Sequence, residues 1–557
     1  MKKIIILALL AACTLPSLAC TNLIVGKKAS KDGSVMVSYS ADSYGMFIGL
    51  YHFAAGKHAP GEMRQIYDWD TNRYWGEIPE APETYNVVGN MNEWQVSIGE
   101  TTYGGREEMA DSTGIIDYGS LIYIALQRSK TAREAIRVMT RLVETHGYNS
   151  EGETFSICDP NEAWIMELMG KGPGSKGVVW VAQRIPDDCI AAHANQSRIR
   201  QFPQTKKFNK KQNWYEIPGE CIYSADCIKY ARKQGWFSGK DSDFSWADAY
   251  APADFGGRRY CDARVWSFFN RWAEGGFEEY LPWALGKDKD AKPMPLWIKP
   301  KQKLGVADME MSMRDHYEGT ALDMTADVSA GPWASPYRNQ PVTFKSSDGT
   351  DMFRERPIGC QQSGMTMVCQ MRSWLPDYVG CCLWFGNDDP NMVALTPVYC
   401  CTKEAPIPYN EKTADTFNFS FKSAFWLCNW VSNMVYYRYN QLFPELQAVR
   451  DRLEKDYNNL QKDVETRVAG MSEAEARQYL SDYSHRMAGG MTDEWMQLAQ
   501  RLIVKYNDMA VKAVDEEGRY KKTPGGVQVP VVRPGYPEAY RRQIVKQAGE
   551  RYRTPGQ

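Results

Sequence analysis

Cys20 stands directly after a segment whose residues read as built for removal. Lys2 and Lys3 give a positive start and Ile4 to Ala12 an apolar core. Pro16 breaks any helix, and Ser17 and Ala19 are small residues at −3 and −1 of a cut before Cys20. This predicts a secretory leader over residues 1–19, too short in its apolar part to stay as a membrane-spanning helix. The cut would place a thiol and a free α-amine on one residue. An α-amine titrates ordinarily near about 7.7–8.0, so a useful fraction is neutral at physiological pH and able to take the thiol proton. A Cys–His site would need a second positioned residue. The sequence nominates only His193, at a strand end beside Asn195, where such a ring is more often packed or capping.

A second use of cysteine competes with the first. Leu10-Ala11-Ala12-Cys13 resembles the site at which bacterial lipoproteins are cut and lipidated, and Ser17-Leu18-Ala19-Cys20 fits that pattern less well. Membrane contact is expected only if Cys13 is lipidated, and Cys20 would then stay internal until a second cut.

Charge and composition narrow the partners. Loss of Lys2 and Lys3 takes the basic residues from 66 to 64 against 68 acidic ones, and the net charge from −2 to −4. That gives no basic footprint for nucleic acid. There is no CxxC, and the six histidines have no ligand spacing, so neither metal nor cofactor is expected. The vicinal pairs Cys381-Cys382 and Cys400-Cys401 read as buried thiols in apolar strands, where neighbours point to opposite faces.

The elements that must position Cys20 begin at once. Thr21–Val25 and Val35–Ser40 are β-rich apolar runs separated by the turn residues Asp32-Gly33, a hairpin with Cys20 at its mouth. Thr131 to His146 has an apolar face at helical spacing and stops at Gly147. Short strands follow around Asp159-Pro160-Asn161 and up to Asn195. The aromatic, turn-rich stretch 200–410 reads as many short strands. Leu446, Val449, Leu453, Tyr457, Leu460, Val464 and Val468 mark a long amphipathic helix, and Ser472 to Glu475 a capping box opening another. The predicted organisation is a leader (1–19), a catalytic body (20–415), a helical region packed on it (416–518) and a tail (519–557). The tail carries nine Lys or Arg against two Glu, and is read as solvated or loosely docked.

Five segments in order carry a family resemblance: CTNLIVGKKASKDGS from Cys20, NMNEWQVSIGETTYGGR from Asn90, DPNEAWIMEL from Asp159, AHANQSRI from His193 as its second residue, and MRDHYEGT from Met313. Together they resemble the C69 dipeptidases, cysteine-type N-terminal-nucleophile (Ntn) hydrolases related to the penicillin V acylase and bile salt hydrolase group. The resemblance implies an α+β fold, the Ntn αββα four-layer sandwich with a helical C-terminal region, and dipeptide hydrolysis through a thioester. By position it implies Cys20 as nucleophile, Asp42 as the acid that orients its amine, and Asn195 as oxyanion donor. Asn92 is a second candidate for the oxyanion or the substrate. Glu100 and Arg106 flank TTYGG, either shaping the pocket or forming an ion pair. Many relatives place an arginine near the end of the first hairpin, where this chain has Ser38 and Tyr39; either a later arginine, such as Arg198 or Arg264, fills that space or the thiol is tuned differently. The expectation is an exported dipeptidase, periplasmic or extracellular, with a homo-oligomer left open. An acylase on bile-salt or penicillin-type amides and a non-enzymatic, lipid-anchored peptide binder are the alternatives.

Overall fold

The computed structural model describes residues 20–42, 45–339, 342–353 and 355–555. The leader reading and the Cys13 lipidation site fall on 1–19, outside the described residues.

The strands that matter are, in chain order, β1 (Thr21–Val25), β2 (Val35–Asp42), β3 (Ser97–Gly104), β4 (Gly152–Cys158), β5 (Ala163–Gly170), β6 (Val178–Ile185), β7 (Ile190–His193), β8 (Ser363–Met371), β9 (Cys382–Asn387) and β10 (Thr396–Tyr399). One antiparallel sheet of seven strands runs β7-β1-β2-β8-β9-β10, with Trp297–Ile298 on its outer edge beside β7. A second, of ten strands, has β6-β5-β4-β3 at its centre and shorter strands on both flanks. The two sheets face each other where β1 and β2 pack on β3 and β4. β1, β2, β4 and β5 are buried throughout, which is why their sequences read as apolar runs and not as strict alternation.

Helices close both outer faces. α1 (Tyr118–Arg128) and α2 (Ala132–His146) cover the ten-stranded sheet. Thr131 caps α2 by accepting from the Glu134 amide, and Gly147 ends it at φ 77°, a conformation open to glycine. α3 (Ala263–Trp272) and α4 (Val306–Met313) lie against the seven-stranded sheet. So do the C-terminal helices α5 (Ala424–Tyr436), α6 (Tyr439–Val468) and α7 (Glu473–Tyr506). The capping box at Ser472–Glu475 opens α7 as its sequence predicts. The molecule is thus a mixed helix-and-sheet structure with large antiparallel sheets and a helical C-terminal region.

The stretch 200–410 holds many short strands, as its sequence predicts, and adds α3, α4 and several shorter helices that the sequence reading did not include. Eight of the ten residues of α3, from Ala263 to Phe269 plus Trp272, are buried, Arg264 and Ser267 among them. All thirteen cysteines from Cys20 onward are buried free thiols, and Cys381 and Cys400 flank β9 and β10 rather than lying within them. In the tail, the helix Glu538–Ala548 buries none of its residues.

Candidate active site

The site is built where the first strand begins. Thr21 pairs with Ser40 in the β1–β2 ladder, which brings Cys20 level with Ala41 and one residue short of Asp42. Cys20 is 1% exposed. Its thiol donates to Glu100 Oε1 at 3.3 Å and lies 3.8 Å from the Tyr39 hydroxyl. Tyr39 donates to the same Glu100 oxygen at 2.6 Å. Glu100 reaches the thiol because the sheets come very close beside it: a Cβ on Gly99 would stand 2.2 Å from Asn22 Oδ1. Asn22 Nδ2 in turn donates to the Glu100 carbonyl at 2.7 Å.

These neighbours set the protonation state. Burial first, then the Glu100 and Asp42 carboxylates, push the Cys20 thiol well above its ordinary range, so the resting group is a thiol. Burial also raises Glu100, against the bonds from Tyr39 and Cys20. Glu153, diagonal to Glu100 across the β3–β4 ladder, is pushed well up by burial and then by the Glu100 charge. Glu153 therefore keeps the proton and Glu100 is the better-supported anion.

Asp42 ends β2 at an irregularity in its register with β8. It is fully buried, ion-paired with Arg356, and accepts from Ser363 Oγ at 2.7 Å. Burial raises its pKa, with Arg356 the largest opposing influence.

The expected arginine is Arg264, on α3. It is fully buried and uses all five N–H donors on neutral acceptors. Nη1 bonds Cys20 O and Thr21 Oγ1, both at 2.8 Å; Nη2 bonds Ala194 O at 3.0 Å and Asn195 Oδ1 at 2.9 Å; Nε bonds Tyr260 O at 3.1 Å. Among the described residues no carboxylate lies within ion-pair distance of it. Arg198, the other candidate, pairs with Asp262 at 3.2 Å and donates to Pro295 O.

Asn195 has φ 60°, a left-handed conformation asparagine tolerates better than most residues. Its oxygen takes Arg264 and its Nδ2 donates to Thr102 O at 2.8 Å, so the amide plane is fixed at both ends. It lines a cavity of about 470 Å³ together with Arg106, Glu107, Glu108, Asp254 and Cys261. The turn after it hangs on Glu167 of β5, which accepts from the Arg198 and Ile199 amides and the Ser197 hydroxyl.

Two expectations give way. Asn92 is not brought to the thiol. Its Nδ2 donates to Leu126 O and Ser129 O at the end of α1, at 2.7 and 2.8 Å, and its Oδ1 takes the Trp94 and Val96 amides; the side chain is consumed in bracing the helix layer. Glu100 and Arg106 form no ion pair, because β3 sends Glu100 between the sheets while Arg106 stacks on Trp236. His193 is fully buried, bonded through Nδ1 to Thr101 Oγ1 at 2.7 Å and through Nε2 to Ser156 Oγ at 2.6 Å. Burial, then Arg198, drop its pKa to about 3. It is a neutral, fully engaged ring with no bond to the thiol. Glu100 is the site residue that sequence reasoning left undecided; its only sequence signal is a carboxylate inside an apolar strand, next to a glycine.

Among the described residues no cluster of His, Cys, Asp and Glu has the arrangement of a metal site. The arrangement therefore offers a protonated thiol, two carboxylates in its field, a fixed amide donor and a buried guanidinium that holds the strand start. Comparison with known proteins gives a match to the family model described as peptidase family C69 over residues 19–452. A probable dipeptidase of Latilactobacillus sakei is 24% identical over 426 residues, covering 73% of this chain and 79% of that protein. Probable dipeptidase A of Streptococcus pyogenes serotype M3 is 24% identical over 499 residues, 84% and 94% of the two chains. Dipeptidase A of Lactobacillus helveticus is 21% identical over 508 residues, 87% and 96%.

Proposed function

Since the chain belongs to peptidase family C69 and is a peptide-bond hydrolase, we propose that it is an exported dipeptidase whose nucleophile is Cys20 once residues 1–19 have been removed. The observation that carries this reading is the Cys20 thiol on Glu100 Oε1 at 3.3 Å, with the Cys20 carbonyl held by Arg264 at 2.8 Å. A thiol pushed up by burial and two carboxylates needs a base. His193 does not bond it, and the one group that removal of the leader adds is the α-amine of Cys20 itself. In the full-length sequence that nitrogen is an amide, so the chain is idle until it is cut.

In this reading the neutral amine takes the Sγ proton, directly or through a water. The thiolate adds to the substrate carbonyl carbon, and an electron pair moves onto oxygen. Asn195 donates to that oxyanion, its N–H polarised by Arg264 on the amide oxygen. The C–N bond then breaks as the ammonium passes its proton to the departing amine, leaving a thioester on Cys20. A water gives a proton to the same amine, adds to the thioester carbon and expels Sγ, which takes the proton back. The net consumption is one water. Asp42 and Glu100 favour the protonated amine and so steady the state after proton transfer. This pairing of sheets with a nucleophile opening an inner strand is the Ntn arrangement in our reading.

The burial of Cys20 against Glu100 also weighs against an anchor role for this sulfur, because a lipid on Sγ has no space between the sheets. The deciding measurement is the mass of the mature N-terminus, paired with Cys20→Ala on a dipeptide panel. We expect an unmodified Cys20 terminus and loss of hydrolysis in the variant. An acylated Cys20 amine, or a fully active variant, would sink the reading.

A further inference from the structure

The cavity that Asn195 lines contains one cation held ready for a ligand. Two glycines with positive φ, Gly104 at 64° and Gly105 at 79°, turn the chain out of β3. A Cβ at Gly105 would meet the Met169 side chain at 2.8 Å, so the turn packs tightly on β5. Arg106 follows. Its guanidinium carbon lies 4.2 Å from the centroid of the Trp236 ring, and Nε donates to Ala249 O at 2.7 Å. Stacking and one backbone bond hold the plane, and both terminal nitrogens remain on a side chain that lines the cavity. Among the described residues no carboxylate comes within ion-pair distance of Arg106, although Glu107, Glu108 and Asp254 line the same space. Asp254 is engaged instead by the Gly257 amide at 2.7 Å.

A planar guanidinium pre-set in this way fits a carboxylate through two parallel N–H bonds. The three carboxylates around it make the remainder of the cavity unfavourable for an anion and favourable for an ammonium. A ligand carboxylate therefore has one place to bind, and the ligand this space suits is a zwitterion. A dipeptide carries its carboxylate carbon one Cα beyond the scissile nitrogen, and a tripeptide carries it about 3.5 Å farther along.

We propose that Arg106 anchors the free carboxylate of the substrate and so restricts the enzyme to dipeptides. This rests on the Cys20 peptidase reading and deepens it by naming the substrate feature recognised. The test compares kcat/KM of the mature enzyme on L-alanyl-L-alanine, its C-terminal amide and tri-L-alanine. Loss of a charged hydrogen-bond partner changes binding by about 10- to 100-fold, and we expect the wild type to prefer the dipeptide over the amide by that factor. In Arg106→Gln the preference falls to about threefold or less, and Arg106→Lys, which keeps the charge without the fork, keeps part of it. Because each ratio is taken within one preparation, a partly folded variant does not change it. Trp236→Ala, which removes the stacking face together with the ring's contacts to Tyr230 and Tyr250, is the second variant and should also lower the ratio. A preference that survives Arg106→Gln overturns the anchor, as does a wild type that splits dipeptide and amide equally well. A folded wild type that splits none of the three fails the peptidase reading itself and takes the anchor with it.

Discussion

Arg264 Nη1 donates to the carbonyl oxygen of Cys20 at 2.8 Å across 244 residues of chain. The same side chain holds Asn195 Oδ1 at 2.9 Å, so one guanidinium sets the spacing between the proposed nucleophile and the proposed oxyanion donor. Arg264→Lys keeps the charge but cannot reach five acceptors. It should cost about 2–4 kcal/mol, because buried acceptors are left unpaired. The kcat should fall by about 100-fold or more as the donor loses its place. Urea unfolding and steady-state kinetics check this together; a variant with the wild-type midpoint and kcat would show that the spacing is set elsewhere.

The two asparagines predicted from sequence separate cleanly. Asn195→Ala should lower kcat by about 100-fold and also cost stability, because alanine is strained at φ 60° and Arg264 and Thr102 O lose a partner. Asn92→Ala should cost about 2–3 kcal/mol through the α1 carbonyls it leaves unpaired, yet keep its rate per titrated active site. Active-site titration alongside a melt distinguishes these outcomes. Equal kcat losses in both variants would place Asn92 in the chemistry after all.

Glu100 makes the thiol a weaker acid, so its neutralisation should do the opposite. In Glu100→Gln the shape is kept and one negative charge is lost. The iodoacetamide alkylation profile of mature Cys20 should shift toward lower pH, with faster labelling near pH 8 as the thiolate fraction rises. Unchanged labelling would mean that the carboxylate is protonated throughout that range.

His193 and Glu167 make stability depend on pH in opposite directions. His193 has a folded pKa of about 3 against an unfolded value near 6.5. Between these the unfolded chain binds the extra proton, and stability is lost as the pH falls. Glu167 is raised by burial to about 7 against an unfolded value near 4.3. Here the folded chain holds the proton, and stability is lost as the pH rises through the window. Each contributes up to about 1.4 kcal/mol per pH unit. From pH 5 to 6.5, Glu167→Gln should gain on the wild type and His193→Gln should lose on it, measured by urea midpoints. Parallel curves would remove the basis for both assignments.

The hairpin at Cys20, the helix ending at Gly147 and the capping box at Ser472 were legible because local signals there agree with the fold. Asp42 was implied by the family resemblance, and the β1–β2 register places it one residue past the level of Cys20. Glu100 was harder to read because its meaning depends on a neighbouring sheet: only the close approach at Gly99 turns a strand carboxylate into the partner of a thiol. Arg264 is a charged residue on the buried part of its helix, and since an arginine read along the chain is expected at the surface, its inward direction was not visible. Asn92 misled for the converse reason, since an asparagine that pairs with helix-end carbonyls has the same local sequence as one that faces a ligand.

The reach of the bonds around Asp42 and Cys20 bears on the order of events while the protein is made. Arg264 lies far downstream of the first strand, and Asp42 takes Ser363 Oγ from 321 residues along the chain. No nascent chain ending before Ser363 contains the whole constellation. A leader cut early in synthesis would release a terminal cysteine long before its surroundings exist. During that interval the fragment would carry a thiol without its folded surroundings, and the proposed site would stay incomplete until residues as far along as Ser363 had been made and folded.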